Sequence, residues 1–286
     1  MGWIYPGRWV FHKGKIKMGL TLNMKSGNFS HAFTSTLNKK SQNITWKYDS
    51  SADASFYIDG DLFKGLFDYP DGKKKFLWGL ESRHFNQSFN LDLRDNLESL
   101  LVVYDHIFTY DQTLVELHPR IKWVPAMGTW IENPGIRDKK KLASMITSSK
   151  TITPEQVFRV NYANKHADKL DLFGGLVRPI EFKEEALDDY MFSVAIENDV
   201  CDSYFTEKIL DCFATCTIPI YKGTRKIVDF FNPDGIIFIE DSKFPVISKE
   251  IYESKRNSIL ENLEKVRQFN TIEDWMFTNY KKIITN

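Results

Sequence analysis

The chain is poor in cysteine, carries no net charge and has no long apolar run, and each shortage removes a class of protein. Its three cysteines, Cys201, Cys212 and Cys216, are an odd number without Cys-x-x-Cys spacing. That pattern builds neither a disulfide framework nor a thiolate zinc site, so reduced thiols are expected. No apolar run approaches the ~18 residues of a membrane-spanning helix. The opening Met-Gly-Trp-Ile-Tyr-Pro-Gly-Arg lacks the layout of a secretory signal. Thirty-eight basic residues cancel 38 acidic ones, leaving no electrostatic footprint for nucleic acid or an anionic bilayer. The expectation is a soluble, cytoplasmic protein in which the sequons at Asn28, Asn43 and Asn86 are silent. Neither repeats nor low-complexity segments occur.

What the chain does have is length and aromatic content. Its 286 residues suffice for two domains, and 22 Phe, 12 Tyr and 7 Trp supply large cores. Residues 17–24, 55–59, 75–81, 104–110 and 121–126 read as strands, joined by loops or short helices, with a helix over 92–101. The charge runs 73–75 and 139–141 read as solvated loop ends. Residues 129–141, with Pro134, Gly135 and a lysine run, read as a linker. Beyond it comes a strand at 141–147, a helix at 154–166, a strand at 169–173 and a Gly174-Gly175 turn. A last strand is expected at 235–240, then helices over 247–269 and 274–284. Strands alternating with helices imply parallel sheets.

Residues 192–240 organise the rest. Phe192 to Ile196 is short and apolar, as a strand covered on both faces requires. It ends in Glu197, Asn198 and Asp199, at the strand end where open α/β sheets bind ligands. Asp202 or Ser203 is the expected cap of the next helix, whose apolar face is Phe205, Ile209, Leu210 and Phe213. Glu207 and Lys208 then lie near the positive end of its dipole, suited to an anionic ligand bearing hydroxyls, such as a nucleotide sugar.

The pieces Glu197-Asn198, Tyr-Phe-Thr-Glu-Lys-Ile (204–209) and Ile-Pro-Ile-Tyr-Lys-Gly (218–223) together resemble the donor-binding signature of the α1,3-fucosyltransferase family. The resemblance implies an α/β fold of the GT-B type, two Rossmann-like domains facing a central cleft. On that basis residues 1–133 form the acceptor-side domain and 134–270 the nucleotide-sugar domain, with a C-terminal helix in 271–286 packing back on the first. It also implies an inverting, metal-independent glycosyltransferase with no bound cofactor. GDP-fucose is the donor and a glycan hydroxyl the acceptor. A UDP-sugar transferase and an inactive glycan- or nucleotide-binding relative are the alternatives.

Such a transfer needs a base, positive charge for the departing diphosphate, and polar groups for the sugar. Glu207 and Lys208 match family positions that contact the donor, with Glu197, Asn198 and Tyr204 beside them. Arg159 sits in a segment similar to the family's arginine-bearing helix, and its planar fork suits a diphosphate. Glu81, in Trp-Gly-Leu-Glu-Ser, resembles the family's Glu-Ser-Pro, whose Glu is the proposed base; Arg83 stands in place of the Pro. As a strand-end carboxylate facing the cleft it is expected to be partly desolvated, with a raised pKa. His84 and His106 rank below it as bases. Asp59-Gly60-Asp61 matches a metal-binding Asp-x-Asp, yet Asp-Gly is also a turn dipeptide, and loop residues are expected there. Lys222, Arg225 and Lys226 are candidates for added positive field or for plain solvation.

Overall fold

A computed structural model describes residues 19–26, 34–36, 39–48, 52, 54–68, 72–175 and 177–285. The start of the expected 17–24 strand and the Asn28 sequon lie outside them. In the first half the chain forms β1 (Leu20–Met24), β2 (Ile44–Lys47), β3 (Ala54–Ile58), α1 (Lys64–Phe67), β4 (Lys74–Gly79), α2 (Gln87–Asp95), α3 (Leu97–Val103), β5 (His106–Thr109), α4 (Gln112–Val115) and β6 (Ile121–Trp123). Among the described residues these strands make one six-stranded sheet, order β2-β1-β3-β4-β5-β6. Every pairing is parallel.

Strand alternation gives this sheet two apolar faces. Phe56, Phe76, Trp78 and Phe108 belong to one cluster, whereas Tyr57, Leu77 and Ile107 join Leu93, Leu100 and Leu101 on the other. Two expectations change here. Ile44–Lys47 is a strand, its four residues alternating buried and exposed at the sheet edge, and four residues were too few to mark it. Lys75 is not a solvated loop end: it is buried in β4, its ammonium donating to the carbonyls of Gly65 (3.1 Å) and Asp68 (3.0 Å).

Residues 129–140 connect to the second half: β7 (Lys141–Ile146), α5 (Pro154–Lys165), β8 (Asp171–Phe173), α6 (Glu184–Leu187), β9 (Tyr190–Ile196), α7 (Glu207–Ala214), β10 (Ile218–Lys222), β11 (Ile237–Phe238), α8 (Lys249–Ser254), α9 (Arg256–Val266) and α10 (Ile272–Thr285). Five parallel strands run in the order β11-β10-β9-β7-β8. In chain order within this half that is the doubly wound 2-1-3-4-5 arrangement, reversing between β7 and β9. A crevice forms outside the strand ends at such a point. All seven residues of β9 are buried, as a central parallel strand demands.

The helix expected over 247–269 is interrupted at Lys255, which leaves helical geometry and caps α8. The single helix expected over 92–101 is likewise divided at Asn96. Lys139 is half-buried rather than solvated, donating to Leu187 O and Thr217 Oγ1, both at 2.8 Å.

The chain then returns to the first sheet. Ile272, Met276, Phe277 and Ile284 of α10 pack into the cluster of Phe56 and Trp78. At the start of α10 the buried Glu273 accepts from Ser35 N (2.6 Å) and Trp46 Nε1 (2.9 Å). Asp274 accepts from the Asn43 backbone and side chain. Among the described residues no helix is long and apolar enough to cross a membrane.

Candidate active site

The crevice at the reversal of the second sheet is a cavity of about 600 Å³. The ends of β7 and β9 form its floor, and Gly174 and Gly175 one wall. Glu81 and Phe85 reach it from the first half. Arg159, Asn198, Glu207 and Lys208 all line it, so five of the seven expected site residues meet in one place.

Gly174 is there for a conformational reason. Its φ is +94°, and a Cβ would stand 2.3 Å from the Thr147 carbonyl. Positive φ costs an L-residue of order 1–3 kcal/mol, and the clash adds a similar amount. Gly174→Ala is therefore expected to destabilise the protein by about 2–5 kcal/mol, read as a lower denaturant midpoint at unchanged slope.

Arg159 is delivered by α5, which starts on a reciprocal cap between Thr153 and Gln156 behind Pro154. It is 6% exposed. One Nη donates to Asn198 Oδ1 at 2.9 Å and the other to Ser148 Oγ at 3.3 Å. Its Nε has no partner. Among the described residues it has no ion-pair partner. Burial pushes the guanidinium below its usual pKa, against the pull of Glu197 and Glu207 through space. A buried cation without a paired anion is costly unless a ligand supplies one.

Helix α7 is capped by Thr206, whose Oγ1 accepts from Lys208 N at 3.4 Å. Neither Asp202 nor Ser203 is the cap: Ser203 sits at φ +63°, which holds the chain out of the helix until Thr206. Glu207 is thus the first helical residue. Its Oε1 lies 3.1 Å from Lys208 Nζ and 3.4 Å from Lys183 Nζ. Burial opposes the Glu207 charge, but Lys208 and Lys183 outweigh it and hold the pKa down at about 2. Lys208 also lies 3.8 Å from Glu197.

Two expected site residues stand elsewhere. Glu197 is fully buried behind the cavity, accepting from Thr206 N (2.9 Å) and Thr206 Oγ1 (2.6 Å). Burial raises its pKa, against the pull of Lys208, and it fixes the start of α7. Tyr204 is buried against Tyr110, ring centroids 4.9 Å apart, a contact between the two halves of the chain.

Glu81 lines the cavity from beyond β4 and is exposed, so the expected desolvation is absent. Its backbone is nevertheless held. The carboxylate of Asp59 accepts from Leu80 N (2.8 Å) and Glu81 N (3.3 Å), and Tyr110 OH donates to Glu81 O (3.0 Å). Arg83 anchors the same loop through a bidentate pair with the buried Asp111, at 2.7 and 2.6 Å. Burial pushes the Asp59 carboxyl up to about 6. Asp59 is therefore spent on the Glu81 turn, and Asp61 faces Lys64 at 3.7 Å. Among the described residues no cluster of three or more His, Cys, Asp or Glu is placed to hold a metal.

The remaining candidates lie outside the cavity. His84 is exposed, its backbone N donating to Asp199 Oδ2 at 3.2 Å, and burial lowers the pKa of His106 in β5. Lys222 pairs with Glu155 at 2.6 Å, Arg225 pairs with Glu240, and Lys226 is exposed. All three cysteines are free thiols, Cys212 and Cys216 buried.

Lys183, Trp130 and Asp211 also line the cavity, and the sequence had not singled them out. Asp211 follows Glu207 by four residues and shares its helix face, a signal that was legible. Lys183 and Trp130 arrive from separate loops with no local motif.

Two parallel sheets with a cavity at the switch point of the second define a GT-B glycosyltransferase fold. Solved structures bear this out. The chain superposes on an alpha1,3-fucosyltransferase with a TM-score of 0.53 at 16% identity, over 96% of this chain and 92% of that one. TarM gives 0.50 at 8% identity, over 82% and 55%. Residues 136–272 match the family model described as glycosyltransferase family 10 (fucosyltransferase) C-term. Within the curated proteins, 75 residues are 37% identical to the alpha-(1,3)-fucosyltransferase FucT of Helicobacter pylori, covering 24% of this chain and 16% of that protein. A stretch of 59 residues is 39% identical to an alpha-(1,4)-fucosyltransferase of Arabidopsis thaliana, covering 21% and 14%. These matches span less than a fifth of either relative.

Proposed function

We propose that the protein is an inverting glycosyltransferase that moves fucose from GDP-fucose to a hydroxyl of a glycan acceptor. The observation that carries this reading is the buried Arg159. Among the described residues it is a cation without an ion-pair partner, in a cavity at a sheet switch point, beside the N-terminus of α7. A diphosphate supplies the missing charge and accepts from the guanidinium fork, from Lys208 and from the first amides of α7. Glu207, ionised and acceptor-only, and Asn198 then take hydroxyls of the sugar. Glu197 and Tyr204 act behind this set, one fixing α7 and the other joining the halves.

Glu81 reaches the same cavity from the opposite side and takes the acceptor proton. The acceptor oxygen attacks the anomeric carbon, the bond to the β-phosphate breaks on the far face, and GDP leaves with its charge met by Arg159 and Lys208. Water excluded by the bound acceptor supplies the desolvation that Glu81 lacks when free. Protein cations fill the role a metal plays in Asp-x-Asp enzymes, and Asp59 is engaged with backbone amides, so the reading is metal-independent. The donor identity rests on the relatives.

The experiment is transfer from GDP-fucose, and from UDP-sugars, to a panel of oligosaccharides, with and without EDTA. GDP release that is stimulated by acceptor and unchanged in EDTA supports the reading. Activity only with a UDP-sugar, or only with Mn²⁺ restored, contradicts it.

A further inference from the structure

Lys208 is asked to do two things at once. Its ammonium lies 3.1 Å from Glu207 Oε1, 3.2 Å from Thr206 Oγ1 and 3.8 Å from Glu197 Oε2. A diphosphate arriving beside it draws the ammonium away from these oxygens, because a doubly charged ligand outcompetes a shared carboxylate. Glu207 would then be a buried carboxylate with its nearest counter-charge withdrawn, which is a costly state and one that favours protonation.

A second cation prevents this. Lys183, just before α6, is 18% exposed and reaches α7 from another loop, 3.4 Å from Glu207 Oε1 and 3.3 Å from Asp211 Oδ2. It bridges two carboxylates one turn apart on one helix face, so it sets the direction of Glu207 as well as its charge. Its ammonium stands over the Trp130 ring, 4.4 Å from the centroid, and Trp130 N and Thr129 Oγ1 both donate to Asp211 Oδ1, at 2.7 and 2.8 Å. Lys183 is thereby fixed from a third side and is not free to follow the ligand. Burial works against its charge, yet Glu207 and Asp211 hold the ammonium protonated.

Resting on the donor-binding reading above, we infer that Lys183 is a positioning residue that keeps the Glu207 carboxylate aimed into the cavity when Lys208 is drawn to the diphosphate. It acts on the sugar half of the donor and not on the nucleotide half. The groups facing Glu207 are Lys208 and Asp211 on α7, Lys183 before α6, Arg159 on α5, Glu197 after β9 and Tyr204. Of these only Lys208 and Lys183 lie within ion-pair distance of it among the described residues.

The test compares calorimetric affinities for GDP and GDP-fucose in the parent and in Lys183→Gln, at pH values from 5.5 to 8. In the parent, GDP-fucose is expected to bind more tightly than GDP. In Lys183→Gln that advantage falls by about tenfold or more, the size of one lost hydrogen bond to a charged group, while GDP affinity changes by less than about threefold. The lost advantage returns partly as pH rises and Glu207 deprotonates. Lys183→Arg restores it at all pH values. If the single variant does not fold, Lys183→Gln with Asp211→Asn removes one charge of each sign and is held to the same outcome. Equal losses for both ligands, or an unchanged and pH-independent advantage, overturn the inference. A parent that binds neither ligand instead overturns the donor-site reading itself.

Discussion

Glu81→Gln is expected to lower transfer by about 10²–10⁴-fold, the range that a positioned general base contributes. GDP affinity should stay within about threefold of the parent, because a residue acting only in the transition state leaves ground-state binding alone. The geometry supports the separation. Glu81 lies on the first half of the chain, whereas Arg159, Asn198, Glu207 and Lys208 lie on the second. The loop that holds it depends on backbone contacts, with Asp59 capping the amides of Leu80 and Glu81 and Tyr110 binding its carbonyl. None of these uses the Glu81 side chain, so the amide variant keeps the loop in place. Parent-like transfer by Glu81→Gln would end the base assignment, and His84, on the same turn, would be tested next.

Arg159→Met has the other large effect. Hydrogen bonds to charged groups contribute roughly 1.5–3 kcal/mol each, so GDP affinity should fall by at least about tenfold. Turnover should fall further, by about 10²–10³-fold, since charge develops on the leaving diphosphate. Stability should move the other way or not at all. Among the described residues Arg159 is a buried charge without an ion pair, and an apolar group of similar volume in its place removes the cost of keeping that charge from water. A melting temperature held or raised together with lost binding separates a ligand-binding cation from a structural one. Arg159→Lys should rescue only in part, because a point charge cannot reproduce the fork that spans Asn198 and Ser148.

Legibility differed between the halves of the chain for a physical reason. The second half announces itself locally. The strand expected at 141–147 is Lys141–Ile146, and the helix expected at 154–166 is Pro154–Lys165, marked by Thr153, Pro154 and Gln156 at its cap. The strand read from Phe192 begins two residues earlier, at Tyr190. In the first half, Ile44–Lys47 is four residues long, held by its pairing with β1 and by the Glu273 bond to Trp46, partners that no local pattern reveals.

The site divides the same way. Asn198, Glu207 and Lys208 were legible because each sits at a strand end or helix start where the backbone dictates its direction, and Arg159, in the middle of α5, through the likeness of its segment to the family's arginine-bearing helix. Glu197 was misplaced because an acid at a strand end can point either into the crevice or back beneath the next helix. Here Thr206 supplies two donors on the inner side. Tyr204 went astray similarly, its partner Tyr110 lying 94 residues away in sequence. Lys183 was invisible because its partners, Glu207, Asp211 and Trp130, all come from other segments.

The claim on which the rest depends is that Arg159 and Lys208 together receive a diphosphate. Titrating the unmodified protein with GDP and, separately, with guanosine tests it most directly. Binding of GDP at least about a hundredfold tighter than guanosine is expected from two charge-assisted contacts. Equal affinities for the two, or heat from neither, would contradict the account.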